Sequence, residues 1–422
     1  MKTLYGILLV VTLCMSVAWC DLTATDFGAK ADGSDSTAAI QSALDKASET
    51  GGVVRLPAGQ YRINGTLLIP EGVTLEGEWC GPHTSHLDKG TVLLAYANRN
   101  IESGTPFISL QTSSTVKGLT IFYPEQTVED IQPYPWTIQG RGQHYNVIDV
   151  TVVNAYNGID CGTYHNEGHH LRNVLICAVR RGVLIDQTSD IGRVENVHIH
   201  NVYWWRVSKP YSLNPDQVKK LERYTLDHLE GFIIGRTDWE YMSNCFVIWA
   251  KTGFRFADLG HGLPNVVLTQ CGSDISPCGI IIDQVQKHAG VAFENCQIMA
   301  GLEIRPTNEG PVKMTNCGFW GTPGTGSQVV QEGQGTVTFI GCHFTLGKQQ
   351  PKDEPYIKAV SGSLIVQGCE FFDHNRVSPD IFVGENVQTA VIMGNKLSGA
   401  DKVSAPKDRP GQVQVLGNVS AP

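Results

Sequence analysis

Along most of this chain, apolar positions alternate with other residues in short runs that recur at a nearly fixed interval. One phrase is a glycine, an apolar residue, any residue and an apolar residue. It reads Gly158-Ile159-Asp160-Cys161, Gly182-Val183-Leu184-Ile185, Gly231-Phe232-Ile233-Ile234, Gly253-Phe254-Arg255-Phe256, Gly279-Ile280-Ile281-Ile282 and Gly301-Leu302-Glu303-Ile304. Successive glycines stand 22 to 26 residues apart, with one gap of 49 between Gly182 and Gly231. A second phrase, asparagine before an apolar run, begins at Asn173, Asn196, Asn244, Asn265 and Asn316. Period-2 runs at a fixed interval are strands that cannot bury their inner faces alone. Stacked as parallel rungs about 4.8 Å apart they share one continuous core. The pattern predicts an all-β fold, a single-stranded parallel β-helix. The interval is too short for propeller blades and lacks the leucine-rich solenoid pattern.

The opening of the chain adds a helix. Asp35 or Ser36 can cap a segment whose Ile40 and Leu44 share one face, and Gly51 or Gly52 ends it. Such a helix would plug the N-terminal end of the solenoid, where strand edges and core are otherwise bare. Residues 22–80 also carry Thr25-Asp26-Phe27-Gly28-Ala29-Lys30-Ala31-Asp32-Gly33, then Asp35-Ser36-Thr37-Ala38-Ala39-Ile40, and Val53-Val54-Arg55-Leu56-Pro57-Ala58-Gly59-Gln60-Tyr61. This opening resembles the pectate-lyase superfamily, in its rhamnogalacturonase/epimerase-like group. The resemblance implies a right-handed β-helix over residues 21–397, a carbohydrate ligand, and a groove along the sheet that carries the glycine phrase. Residues 398–422 read as a polar tail. Catalytic residues do not carry over. The Asn-Thr-Asp, Asp-Asp and Arg-Ile-Lys motifs of the polygalacturonase-type hydrolases are absent, and so is the Asp-Pro-His of alginate epimerases. Only Gly260-His261-Gly262 is similar to the hydrolases' Gly-His-Gly.

Lys2, an apolar region over residues 7–11 and Ala18-Trp19-Cys20 read as a secretory signal spanning residues 1–20. The protein is expected to be secreted or periplasmic; the bulk of Trp19 disfavours a lipid anchor at Cys20. This leader also argues against a phage tailspike. No later stretch supplies the roughly 20 apolar residues of a membrane span. A formal charge of −9 argues against a nucleic-acid partner. Cys245, Cys296, Cys317, Cys342 and Cys369 recur at rung intervals and read as an internal column of thiols, with Cys271 and Cys278 as the pair best placed to be bonded. No zinc-type spacing appears.

Candidate chemistry concentrates around the long gap. The loop over residues 203–230 brings Trp204, Trp205 and Glu230, and the loop that follows carries Arg236, Asp238, Trp239 and Glu240. Two carboxylates flanking one residue in an extended loop lie about 6–7 Å apart, within the range of glycosidase pairs. Asp238, Glu240 and Glu230 are therefore the expected acid/base or nucleophile set. Trp239, Trp204 and Trp205 are the expected sugar-stacking surfaces, and Arg236 the partner of a substrate carboxylate. Asp160 and His165 offer further substrate contacts; His198 and His200 read as surface residues. Lys251 and Arg255 define a second mechanism, β-elimination with a basic side chain as base and Ca²⁺ as the stabilising cation; no other cofactor or metal is expected. The reading is a secreted polysaccharide-degrading enzyme, a glycoside hydrolase before a lyase, with a non-catalytic carbohydrate-binding solenoid as the third alternative.

Overall fold

A computed structural model describes residues 21–81, 86–321, 326–345, 353–372, 377–409 and 411–420; the signal and the Cys20 anchor lie outside them. The chain winds as a right-handed parallel β-helix with 34 strands among the described residues, all paired in parallel. Each full coil contributes to three sheets, here called A, B and C in chain order. In one representative coil, Val266–Thr269 lies in sheet A, Gly272–Asp274 in sheet B and Cys278–Ile282 in sheet C. Every glycine phrase falls in sheet C. Its third positions form one register column, Asp160, Leu184, Ile233, Arg255, Ile281 and Glu303, preceded by Gln139.

The second phrase marks the corner between sheets A and B, which is a single left-handed residue. Asp149, Asn173, Asn196, Asn244, Gln270, Asn295 and Asn316 all have φ between 52° and 57° there, and glycines take over at Gly341, Gly368 and Gly394. Asparagine and glycine tolerate this region best. Asn side chains also ladder across it: Asn173 donates to Asp149 at 2.8 Å, and Asn196 to Asn173 at 3.0 Å. Asn265 is not a corner residue; Gln270 fills that role in its coil.

Directly after the corner, Cys245, Cys271, Cys296, Cys317, Cys342 and Cys369 point inward and are at most 2 % exposed. They are free thiols, as are the other four described cysteines. The expected Cys271–Cys278 bond is therefore corrected. A sheet B strand separates the two residues: Cys271 joins the column, whereas Cys278 opens a sheet C strand. Aromatic stacks continue the core, with Phe319, Phe344 and Phe371 at centroid spacings of 4.7 and 4.8 Å. Burying each such ring contributes roughly 1.5–3 kcal/mol.

Helix α1 (Thr37–Ala47) caps the N-terminal end, burying Ile40, Ala43, Leu44 and Ala47, with Asp35 accepting from the Thr37 N–H at 3.0 Å. The tail expected after residue 397 is instead a further coil. Val403–Ser404, Val413–Leu416 and Val419–Ser420 pair in register with the rung before them. The long insertion folds as α2 (Val202–Trp205) and α3 (Pro215–His228), which starts with a capping box at Asn214 and Gln217. These helices bury Tyr203, Trp204 and Leu221 with Val153, Cys177 and Val179 on the outer side of the early rungs.

Candidate active site

The insertion does not roof sheet C; it stands beside it. Trp204 is 2 % exposed inside the packing just described, so it offers no sugar-stacking surface. Trp205 is half-buried and contacts His200 and Arg206. His198 and His200, expected at the surface, are covered by α2: His198 Nδ1 lies 2.6 Å from the Tyr203 hydroxyl. Burial pushes both imidazoles down to about 4.

The expected carboxylate pair is split by one residue. Trp239 has φ 67°, in the left-handed region that costs a bulky side chain dear. It turns the chain from the loop leaving sheet C into sheet A, leaving Asp238 outside and Glu240 in the solenoid interior. Glu240 is wholly buried, 3.1 Å from His169 Nε2, and its second oxygen has no hydrogen-bond partner. Asp238 instead pairs with Arg236 at 2.7 Å and accepts from Gln286 at 3.0 Å. Trp239 itself is 54 % exposed.

Glu230 sits at the opposite margin of sheet C. The strand Glu230–Ile234 separates it from the leaving loop; four residue steps at about 3.3 Å put it about 13 Å or more from Asp238. Its carboxylate is tied to Arg255 at 3.1 Å, and Arg255 also holds Asp283 at 2.8 Å. Burial works against the Arg255 charge, but hydrogen bonds and attraction from Asp283 and Glu230 outweigh it and hold the guanidinium above its usual range. Arg255, expected as the base of an elimination, is thus clamped between two carboxylates. Lys251 and His165 are exposed, Lys251 beside the end of α3 and His165 on the leaving loop. Arg236 pairs with Asp238 and Arg305 with Glu303.

The structure assembles a different group at the leaving edge of the neighbouring rungs. Asp186 is 3 % exposed and accepts at both oxygens, from the Arg236 N–H at 2.7 Å and from His261 Nδ1 at 2.7 Å. Gly235 makes the first contact possible, since a Cβ there would sit 2.4 Å from the Asp186 oxygen. Gly260 and Gly262, with φ 99° and 119°, let the His261 loop lean back across the intervening rung. A carboxylate can only accept, so Nδ1 carries the proton and Nε2 is the ring's acceptor. The His261 side chain is 46 % exposed.

On the preceding rungs a cleft of about 490 Å³ opens between Trp136, Gln139, Arg141, Tyr164, Arg181 and Glu102. Asp160, wholly buried, lies beneath it. It accepts from Gln139 at 2.7 Å and from the Gly162 and Thr163 N–H groups, and Gln139 in turn accepts from Arg141 at 3.0 Å. Arg141 lies 5.5 Å over the Tyr164 ring, and Arg181 lies 5.7 Å over Trp136 while pairing with Glu102. Asp160, expected as a substrate contact, is therefore out of reach of solvent and braces Arg141 through Gln139. Sequence reading missed this group because it stopped at the strand's outward row. Asp186 stands one residue past its phrase, and Gly260-His261-Gly262 was the single visible signal. Among the described residues no cluster of three or more His, Cys, Asp or Glu is arranged to hold a metal ion, and no helix is long and apolar enough to cross a membrane.

Residues 22–206 match the family profile described as rhamnogalacturonase A/epimerase, pectate lyase-like. The segment 22–206 is thus pectate-lyase-like. Among its relatives are two mannuronan C5-epimerases of Azotobacter vinelandii. AlgE1 is 31 % identical over 169 residues, and AlgE4 is 30 % identical over 172. Those matches span 32 % and 33 % of this chain but only 12 % and 31 % of the two epimerases. Its solenoid is also similar to the tailspike protein of Escherichia coli bacteriophage HK620, solved with a hexasaccharide (TM-score 0.52, 11 % identity, 95 % of this chain and 77 % of that one). A second such structure is the Dettilon tailspike protein (TM-score 0.50, 13 % identity, 95 % of this chain and 68 % of that one). At these identities the tailspikes speak to the fold alone.

Proposed function

We propose that this chain is a secreted enzyme that modifies an acidic polysaccharide, beginning with proton removal beside a sugar carboxylate. The glycan lies along sheet C from Trp136 to Arg236, and His261 is the base. The observation that carries this reading is the Asp186–His261 pair. A buried carboxylate fixes the tautomer and orientation of a half-exposed imidazole, leaving Nε2 to take a proton. Arg141 and Arg181, each set over an aromatic ring, suit sugar carboxylates bound between stacking faces. The relatives named as C5-epimerases support the same first step, because inverting that carbon requires its proton to leave and return. β-Elimination starts with the same removal. Hydrolysis by Glu230 and Asp238 is disfavoured by their separation, which exceeds the roughly 5–9.5 Å of glycosidase pairs. The leader over residues 1–20 supports secretion.

The test is a screen of purified protein on alginate and polygalacturonate. It reads unsaturated products by ultraviolet absorbance, C5 inversion by NMR, and new reducing ends. Unsaturation or inversion that His261→Ala abolishes is the expected result. Reducing ends without unsaturation, produced equally by His261→Ala, would overturn this reading in favour of a hydrolase.

A further inference from the structure

Sheet B carries a feature that the sheet C site does not use. Its early rungs are covered by α2 and α3, whereas among the described residues no helix covers its later outer side, which holds two large aromatic side chains. Trp320 is 43 % exposed and Phe372 is 44 % exposed. Backbone bonds from Trp320 to Ile298, Thr345 to Phe319 and Phe372 to Phe344 place Trp320, Thr345 and Phe372 in one register column. The two rings are thus two rungs apart, about 9.6 Å. The neighbouring outward column is polar: Gln297, Gly318, His343, Glu370 and Lys396.

Both aromatics are held in place by that column. The Trp320 indole N–H donates to Gln297 at 2.9 Å. Phe372 meets the His343 ring edge-on at 6.1 Å and lies under Lys396, whose ammonium is 5.6 Å from its centroid and bonded to Glu370. Gly318 leaves the space in which Gln297 and His343 approach each other, since a Cβ there would come within 2.7 Å of both.

The geometry points to an accessory binding surface for an extended polysaccharide strand, on the opposite side of a coil corner from the proposed reaction. Sugar rings present C–H faces that pack on flat aromatics and hydroxyl rims that need hydrogen-bond partners. A two-rung step is close to the length of a disaccharide unit in an extended chain, so alternate sugars would meet Trp320 and Phe372. Gln297, His343, Glu370 and Lys396 would meet the hydroxyls between. The occupant is a glycan rather than a protein because each aromatic is bordered by donors and acceptors, with no apolar patch joining the two among the described residues.

Affinity electrophoresis in gels cast with alginate, polygalacturonate or hydroxyethyl cellulose tests this. The wild type should be retarded by at least one polymer, and Trp320→Ala/Phe372→Ala should weaken that binding fivefold or more. Turnover of a short soluble oligosaccharide should stay unchanged, so this surface and the sheet C site fail separately. Thr345→Arg, which fills the space between the rings without removing them, should reproduce the loss; it also serves if the double variant unfolds. Trp320→Phe should keep most of the binding. No retardation of the wild type by any polymer, or retardation unchanged in both the double variant and Thr345→Arg, would overturn the proposal. So would a loss of soluble turnover that parallels the loss of binding.

Discussion

Single residues decide where chemistry can happen on a surface this regular. His261→Ala should lower turnover by about 10²- to 10⁴-fold, the usual worth of a positioned acid or base, with the melting temperature nearly unchanged. Asp186→Asn should also lower turnover and should move the pH profile, because the amide no longer fixes the tautomer of His261. Glu240→Gln makes the opposite prediction. Its side chain faces the interior beside His169, so turnover should stay within about threefold while stability falls by about 1–3 kcal/mol, read by denaturant midpoint. That contrast marks the boundary of what the residues disclosed. The residue types around positions 230–240 were visible, but whether Glu240 faces in or out depends on the left-handed turn at Trp239. A tryptophan gives no hint of such a turn, whereas an asparagine or glycine would have.

Among the elements, the sheet C strands were legible from their own alternation, and α1 from its cap and spacing. The insertion was legible from the long gap in the repeat but not in its placement. An amphipathic helix reveals that it has an apolar side, not which neighbour receives it, and here the receiver is the outer side of the early rungs. One consequence is a pH dependence. Burial holds His198 and His200 near about 4, against 6.5 for the free side chain. As pH falls below 6.5 the unfolded chain takes up protons that the folded chain refuses, so stability is full above 6.5. It is then lost through the window from about 6.5 to about 4. Full burial would make this about 3 kcal/mol per imidazole, and their partial exposure reduces it. Melting temperature should drop across that window, and His200→Asn should flatten the drop.

At the scale of the whole molecule, the solenoid was the most legible property because a repeat states itself many times over. The proposed groove was the least, because it is written once, in residues that break the repeat. The thiol column offers a check on the packing. Hydrogen bonding within the column and burial push the Cys296 and Cys342 thiols up, and burial does the same for Cys161 and Cys177. In native buffer Cys80, the one partly exposed cysteine among those described, should be the first to react with a thiol reagent. All ten described cysteines should titrate in denaturant, and an oxidised column would contradict the register. The one-residue corner between sheets A and B has a further consequence, for how such a chain can acquire new parts. A corner closed by a single left-handed residue cannot absorb extra length without slipping the rungs on either side. In the coils from Asp149 to Asn316, additions must enter at the other two corners, both of which border sheet C. An earlier coil, without that single-residue corner, carries thirteen residues between Val73–Gly77 in sheet A and Thr91–Ala95 in sheet B. Whatever is spliced into one of those later coils is therefore delivered to one margin of sheet C, as α3 is here. A fold of this kind can change what it grips by lengthening loops while every rung keeps its place.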